Sequence, residues 1–260
     1  MIQPSAGSPG LASLKEKLAS RQKTVATMMS QLFYTDLPAM YKGSGAVDFL
    51  LFDLEHGSYN PENIGDLLFA SRRADLPVII RVQDCEYHCI SKPLDMGADG
   101  IMIPRTETLS QVELAVQSMR FFPKGKKGAG GRGLLRPGES TEDFNRNRLL
   151  FLQIESPLGV ANLDEMLRVY GEEVAGVIIG PCDMAITSGC GLDTDAPAVL
   201  ENIRKVIAVC KAREKSCGMF MDASSAARWA GEGMNILWIT TEIGLLAVGL
   251  QDLSDKVRDL

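Results

Sequence analysis

Short apolar runs alternate with amphipathic stretches along the whole chain, and this alternation constrains the fold more than any other feature of the sequence. Continuous apolar runs of this length are typical of parallel strands buried on both faces, and helical spacing between them is typical of crossover helices. The eight runs cover residues 24–32, 49–55, 77–82, 100–105, 149–156, 176–183, 217–222 and 236–242.

Eight strands that are each followed by a helix, with right-handed crossovers, predict an α/β fold, the (β/α)8 TIM barrel. An open doubly wound sheet is the alternative. Residues 11–20 predict an additional N-terminal helix, which we expect to lie across the bottom of the barrel because nothing precedes it to pack on.

Helix signals support this division of the chain. Asn60 before Pro61 is typical of an N-cap and first helical residue, and Thr108 with Gln111 is typical of a capping box. The last helix carries Leu246, Leu250 and Leu253 at helical spacing.

The chain has 260 residues, the size of one barrel, so we predict a disordered tail over residues 1–10 and a single domain over residues 11–260. No apolar run approaches the roughly 18 residues that a membrane span requires. The net charge of −6 leaves no basic patch suited to a phosphate backbone. We therefore expect a soluble protein without a membrane or nucleic-acid partner.

The six cysteines, in a chain without a recognisable secretory signal, are expected to be reduced, which predicts a cytoplasmic protein. Cys85, His88 and Cys89 offer a zinc ion three ligands, but the other cysteines are scattered and the chain has only one other histidine. We favour the interpretation that this segment is a helix with reduced thiols.

A stretch rich in Gly, Arg and Lys, residues 121–148, joins the fourth and fifth runs and shows no regular element. Gly128, Gly130 and Gly133 match G-x-G-x-x-G in spacing, but no strand precedes them and no helix follows, so dinucleotide binding is rejected. The stretch either closes over a site and presents cations to an anion, or is a solvated basic loop. The cations concerned are Lys126, Lys127, Arg132 and Arg136.

Polar residues end five consecutive runs, and in a barrel these C-terminal ends converge on one rim where active sites are built. The residues are Asp53, Glu55, His56, Arg81, Arg105, Gln153, Glu155 and Asp183. Glu155 and Asp183 can present two hard carboxylates to Mg²⁺, Mn²⁺ or Co²⁺ and leave coordination positions for the carboxylate and keto oxygens of a 2-oxo acid. The alternative is that each acid is a structural ion-pair partner.

Two further side chains at these ends suit proton transfer and charge stabilisation. Arg81 is a planar donor for a carboxylate or enolate oxygen, unless it forms a structural salt bridge to Asp53 or Glu55. His56 follows Asp53 by three residues, so a carboxylate can orient the imidazole for proton transfer; a structural histidine is the alternative.

Imine chemistry is not expected from the positions of the lysines. A Schiff-base aldolase needs a desolvated lysine that points into the barrel from a strand. No lysine lies between Lys127 and Lys205, so the fifth and sixth runs contain none.

Five stretches taken in order are specific for one family. They cover residues 52–56 (FDLEH), 97–104 (GADGIMIP), 153–155 (QIE), 162–165 (NLDE) and 179–183 (IGPCD). At these residues, and over roughly residues 11–250, the chain resembles the HpcH/HpaI aldolases, a family of metal-dependent pyruvate aldolases. Leu54, Val82 and Cys182 depart from the pattern, since many members have Gly, Pro and Ala there.

The resemblance implies Glu155 and Asp183 as the metal ligands and Arg81 as the contact to the pyruvyl group. It also implies a pair of His56 and Asp53, which moves the proton of the aldol hydroxyl through water.

Three more positions follow from the same resemblance. It implies that Gln153 lies near the oxo acid and that the backbone amides of Cys182 and Asp183 bind its carboxylate. Asp95 matches an acid that reaches the site of a neighbouring subunit, which implies a homo-oligomer, typically a hexamer.

These inferences predict a divalent-metal-dependent class II pyruvate aldolase, a carbon–carbon lyase that cleaves a 4-hydroxy-2-oxo acid to pyruvate and an aldehyde. One alternative is an acyl-CoA or citrate-lyase-like carbon–carbon lyase. The other is a non-catalytic oxo-acid-binding paralogue, suggested by the departures near Arg81 and Leu54.

Overall fold

Eight parallel strands form a closed barrel in the computed structural model, which describes residues 8–131 and 133–258. Each strand pairs with its neighbours in chain order, and the first pairs with the last. The predicted (β/α)8 barrel is confirmed, and the open sheet is wrong. The strands are β1 Thr24–Met29, β2 Phe49–Asp53, β3 Val78–Arg81, β4 Gly100–Ile103, β5 Leu149–Ile154, β6 Val174–Ile179, β7 Ser216–Phe220 and β8 Ile236–Thr241.

Eleven helices surround this barrel within the described residues. They are α1 Pro9–Ala19, α2 Leu37–Ser44, α3 Pro61–Arg73, α4 Tyr87–Met96, α5 Leu109–Met119, α6 Thr141–Asn147, α7 Pro157–Tyr170, α8 Pro181–Thr187, α9 Pro197–Ala212, α10 Ala226–Glu232 and α11 Glu242–Arg258. In the part of the chain that the structure describes, no helix combines the length and the apolar character that crossing a bilayer demands.

The predicted helix caps are confirmed. The Asn60 side chain accepts hydrogen bonds from the amides of Glu62 and Asn63, and Thr108 forms the capping box with Gln111. Each cap satisfies amides that have no partner within the first helical turn.

Helix α1 packs against the bottom of the barrel, as expected. Leu11, Leu14 and Leu18 are buried in one cluster with interior strand residues such as Phe49 and Phe151. This apolar contact closes the N-terminal end of the barrel and leaves the opposite end for polar residues.

The start of α1 corrects the predicted tail. The helix begins at Pro9, two residues before the predicted start, because the Ser8 side chain accepts a hydrogen bond from the amide of Leu11. Residues 1–7 of the predicted tail lie outside the described residues.

The stretch over residues 121–148 lies at the N-terminal end of the barrel, because it joins the end of α5 to the start of β5. It therefore cannot close over the polar rim of its own barrel, and it contains a helix, α6, that was not predicted from the sequence. Lys127 and Arg136 are not solvated, since they bind Asp95 and Asp99.

Two of the four cations named for this stretch remain, Lys126 and Arg132. Lys126 is exposed, as the solvated-loop interpretation predicts. Arg132 lies outside the described residues.

Candidate active site

The ends of β2 and β3 carry a buried network of charges. Arg81 donates to both oxygens of Asp53, over 2.8 Å from Nε and 2.7 Å from Nη2, and its Nη1 lies 3.2 Å from Glu55 Oε2. The strand register explains the first contact, because Asp53 and Arg81 are paired across the two strands. A guanidinium has more N–H groups than these carboxylates use, so Arg81 retains donors for a bound anion.

His56 does not form the expected side-chain pair with Asp53. The Asp53 oxygens accept from Arg81, and Oδ1 also accepts from the backbone amides of Glu55 and His56, at 3.0 and 3.4 Å. These donors occupy the Asp53 carboxylate and stabilise the turn that follows β2. The imidazole is 67% exposed, and its Nε2 lies 3.8 Å from Glu55 Oε1. His56 is therefore accessible at the rim, beside a different carboxylate.

Glu155 directly follows β5, and its buried carboxylate lies between two donors. The amide of Arg105 donates to Oε1 over 2.6 Å, and Nε2 of Gln153 donates to Oε2. Arg105 has a left-handed backbone with φ 46°, a conformation that is uncommon outside glycine. Oε1 of Gln153 is buried without a hydrogen-bond partner among the described residues, so it is an acceptor that a ligand can satisfy.

Helix α8 brings Asp183 next to Glu155. Oγ1 of Thr187 lies 2.9 Å from the backbone oxygen of Glu155 and 2.8 Å from that of Asp183, which ties the helix to the end of β5. A Cβ at Gly180 would come 2.2 Å from Glu155 Oε2. The close approach of the two segments therefore requires glycine at this position.

Cys182 and Asp183 lie in the first turn of α8. The thiol of Cys182 is exposed, and no side chain of the described residues caps the helix at Gly180.

The carboxylates at this rim affect one another electrostatically. Burial raises the pKa of Glu155 to about 7, and the negative charges of Asp183 and Glu55 contribute to the rise. Burial also raises the pKa of Glu55, against the opposing charge of Arg81. Crowded carboxylates of this kind favour a bound cation, because the cation stabilises their ionised forms.

The donor set fits a divalent cation bound by oxygen. Glu155 and Asp183 are hard ligands, and the unpartnered oxygen of Gln153 is available to a ligand or water beside them. Across residues 8–131 and 133–258, no group of three or more His, Cys, Asp or Glu is arranged to hold a metal. A cation held by two carboxylates would keep further coordination positions for water or substrate.

Asp95 lies apart from these residues. It is on the last turn of α4, at the N-terminal end of the barrel, and its Oδ1 lies 2.5 Å from Nζ of the buried Lys127. A catalytic role for Asp95 would therefore require the site of a second chain.

His88 and Cys89 lie on α4, the helix that the favoured interpretation expects, and within the described residues they form no group of three metal-binding side chains with Cys85. Sγ of Cys85 is directed to the backbone oxygen of Gln111 at 3.3 Å, whereas Sγ of Cys89 lies 3.4 Å from Nε2 of His88. All six cysteines are free thiols. None of the eight described strands carries a lysine, so no strand supplies the amine that an imine mechanism needs.

Two features of the rim were missed in the sequence. The backbone amide of Arg105 binds Glu155, and Oε1 of Glu242 accepts from the amides of Ser30, Gln31 and Leu32. Glu242 thereby holds the segment after β1 against the start of α11. Glu242 could have been identified from the sequence, because it lies at the end of the eighth apolar run as the other rim acids lie at the ends of theirs.

The fold and the rim together define a (β/α)8 barrel with an acidic, arginine-containing candidate active site. A family model described as HpcH/HpaI aldolase/citrate lyase matches residues 30–247, and the chain belongs to this family of carbon–carbon lyases. A solved structure of an HpcH/HpaI aldolase from Desulfitobacterium hafniense superposes with a TM-score of 0.86 at 26% identity, covering 95% of this chain and 97% of that chain.

Two relatives are similar over most of their length. The 5-keto-4-deoxy-D-glucarate aldolase of Salmonella arizonae is 29% identical over 221 residues, which cover 83% of this chain and 86% of that protein. The hydroxypyruvate/pyruvate aldolase of Delftia acidovorans is 33% identical over 222 residues, which cover 82% and 81%.

Proposed function

We propose that the protein is a divalent-metal-dependent aldolase that cleaves a 4-hydroxy-2-oxo acid to pyruvate and an aldehyde. The observation that carries the proposal is the convergence of Glu155, Asp183 and Arg81 at the C-terminal rim of one barrel. The names of the two relatives, which are both aldolases, support the same class of reaction.

Glu155 and Asp183 would hold Mg²⁺, Mn²⁺ or Co²⁺. The ion, when bound, supplies Lewis-acid polarisation of the oxo group. Gln153 lies beside the carboxylate pair, and the amides of Cys182 and Asp183 are the donors we assign to the substrate carboxylate. These contacts would hold the 2-oxo acid at the rim that also carries Arg81.

Arg81 stabilises the negative charge that develops as the carbon–carbon bond breaks. Its contacts to Asp53 and Glu55 hold the guanidinium rigidly, so little reorganisation is needed during the reaction. His56 accepts the proton of the 4-hydroxyl group through water, with Glu55 as its neighbouring carboxylate. The carbon–carbon bond breaks to release the aldehyde and the enolate of pyruvate, and the enolate takes a proton at C3 from solvent water to give pyruvate.

The decisive experiment is hydrogen exchange at the methyl group of pyruvate in deuterated water, with metal present and no aldehyde. We expect exchange with Mg²⁺, Mn²⁺ or Co²⁺, because bound pyruvate forms an enolate when its carbonyl is polarised and Arg81 stabilises the charge. Glu155→Gln and Arg81→Lys should suppress it. Glu165→Gln, which neutralises an acid on the exposed face of α7, is the matched control and should not. Absence of exchange in the wild type with all three metals would refute the aldolase.

The proton-transfer role of His56 predicts a difference between two reactions. His56→Ala should lower the rate of aldol cleavage about 10²- to 10⁴-fold and lower the rate of pyruvate enolisation much less, because only cleavage involves the substrate hydroxyl. The two rates are measured on the same preparation, by aldehyde release and by methyl exchange. Equal losses would show that His56 acts elsewhere.

The family description also covers citrate lyases, which keeps an acyl-CoA or citrate-lyase-like reaction as the second candidate. Thioester cleavage without pyruvate exchange would favour it. Metal binding without turnover of any aldol would favour the non-catalytic paralogue.

We also propose that the protein is a homo-oligomer, a hexamer by the family resemblance, in a reducing compartment such as the cytoplasm. The six free thiols support the second point.

A further inference from the structure

A cavity of about 520 Å³ lies at the N-terminal end of the barrel, opposite the candidate active site. It is bounded by α1, the ends of α5 and α6, and the segments that enter β6 and β7. Pockets that bind small molecules have volumes on the order of 300–1,000 Å³. None of the residues assigned to the active site lines this cavity.

The cavity wall carries more cationic than anionic side chains. The cations are Lys15, Arg120, Lys124, Arg146, Arg148 and Lys215. The carboxylates are Glu172, Glu173 and Glu214. Not all of the cations are available, since Arg148 is bound by Glu139 and Arg146 by acids of α6.

Arg120 is a buried cation with incomplete pairing. Its side chain is 3% exposed, and Nε binds Glu173 Oε2 at 2.7 Å, but Nη1 has no hydrogen-bond partner in the described residues. Nζ of Lys124 binds the other oxygen of Glu173 at 2.6 Å. Two cations therefore share a single carboxylate, which leaves excess positive charge at the wall.

Two half-buried lysines add to this charge. Nζ of Lys15 donates to the backbone oxygen of Arg146 at 2.8 Å and to Oδ1 of Asn147 at 2.9 Å. Within the described residues, neither Lys15 nor Lys215 lies within salt-bridge distance of a carboxylate, but the nearby charges of Glu172 and Glu214 partly offset that of Lys215. Burial lowers the pKa of Lys15, and the positive charge of Arg146 and other arginines lowers it further, so an anion would relieve their mutual repulsion.

We propose that this cavity is a second ligand site, which binds a small phosphorylated anion away from the active site. Lys15 lies on α1, Arg120 directly follows α5 and Lys215 directly precedes β7, so the three cations reach the cavity from separate parts of the chain. Donors arranged in this way suit the tetrahedral oxygens of phosphate better than a planar carboxylate. Because Lys15 is on α1, bound anion would link α1 to the barrel and stabilise the folded chain.

The test measures binding of inorganic phosphate to the metal-free protein by calorimetry, with sodium chloride at equal ionic strength as the reference. We expect saturable binding that Lys15→Gln and Lys215→Gln each weaken by about tenfold, since each removes one charge-assisted contact. Lys205→Gln removes the same charge from the exposed face of α9 and should leave the affinity within about twofold.

Other results of this experiment would refute all or part of the proposed phosphate site. Wild type without saturable phosphate binding, unchanged affinity in both cavity variants, or an equal loss in Lys205→Gln would refute the site. Succinate that binds as tightly as phosphate would refute the phosphate assignment. The cavity variants should retain pyruvate methyl exchange, so failure of this site is distinguishable from failure of the proposed aldolase.

Discussion

At the scale of single residues, Glu155 shows how burial at a barrel rim raises the pKa of a carboxyl group. The amide of Arg105 and the side chain of Gln153 stabilise its ionised form, yet burial has the larger effect, and the charges of Asp183 and Glu55 add to it. The result is a pKa of about 7, so the metal-free carboxyl group is partly protonated at neutral pH.

This shift predicts how the stability of the metal-free protein depends on pH. The folded pKa of Glu155 is raised, so its contribution to the unfolding free energy is complete below about pH 4.5 and is lost as the pH rises through about 7. We expect the unfolding free energy of the wild type to fall by up to about 3 kcal/mol over this pH range, and that of Glu155→Gln to fall by correspondingly less. Urea denaturation of both proteins between pH 5 and about 8 measures it, with Glu165→Gln as the control. Parallel profiles for wild type and Glu155→Gln would contradict the assignment.

The sequence shows that Asp53 is present, but the side chain that pairs with it depends on competition between nearby hydrogen-bond donors. Asp53 had two candidate partners in the sequence, His56 and Arg81. The charged, planar guanidinium is paired with Asp53 across the strands and binds both of its oxygens, whereas the imidazole points to the exposed side of the turn.

At the scale of elements, the stretch over residues 121–148 is held by buried ion pairs rather than by regular structure alone. Arg148 is fully buried and donates to both oxygens of Glu139, each at 2.8 Å, and to the backbone oxygen of Leu134 at 3.0 Å. Burial opposes ionisation of Glu139, but the hydrogen bonds and charge of Arg148 lower its pKa overall.

Removal of the Glu139 charge should therefore be costly. We expect Glu139→Gln to lower the unfolding free energy by about 3–5 kcal/mol at pH 7, because Arg148 would remain charged and unpaired in the interior. Since the pKa of Glu139 is lowered, the wild-type advantage should be present above about pH 4.5 and decline as the pH falls.

The matched control is Glu142→Gln on α6, whose side chain is 81% exposed in its pair with Arg146. It should cost about 0.5 kcal/mol or less. Urea denaturation that gave equal losses for the two variants would exclude Arg148 as the reason.

At the scale of the whole molecule, α11 leaves a stripe of apolar side chains exposed in the part of the chain that the structure describes. Leu246, Leu250, Leu253 and Val257 follow one another at helical spacing, and they are 59%, 71%, 63% and 67% exposed. Among the described residues of this helix only Glu242 is buried. An apolar stripe of this size on a folded chain indicates a surface that a partner covers, and a second copy is the partner we propose.

The assembly is tested by light scattering after size exclusion. The wild type should be an oligomer, and Leu246→Lys with Leu250→Lys should shift it toward the monomer, because lysines on this stripe cannot be buried unpaired. Gln251→Lys introduces the same charge beside the stripe and serves as the control. A monomeric wild type at micromolar concentration would contradict the proposal.

Several properties followed from the sequence alone. The eight apolar runs predicted the barrel, Asn60 and Thr108 predicted helix starts, and the acids at the run ends predicted the rim. These properties are readable because periodicity, capping and strand polarity depend on residues that are close in the chain.

Only the tertiary structure decided the rest. It placed residues 121–148 at the end of the barrel opposite the rim, paired Asp53 with Arg81 instead of His56, left the leucines of α11 exposed, and gathered cations from distant segments around one cavity. Each of these outcomes depends on which chain ends meet in space and which donors compete there, and residues far apart in the sequence determine both.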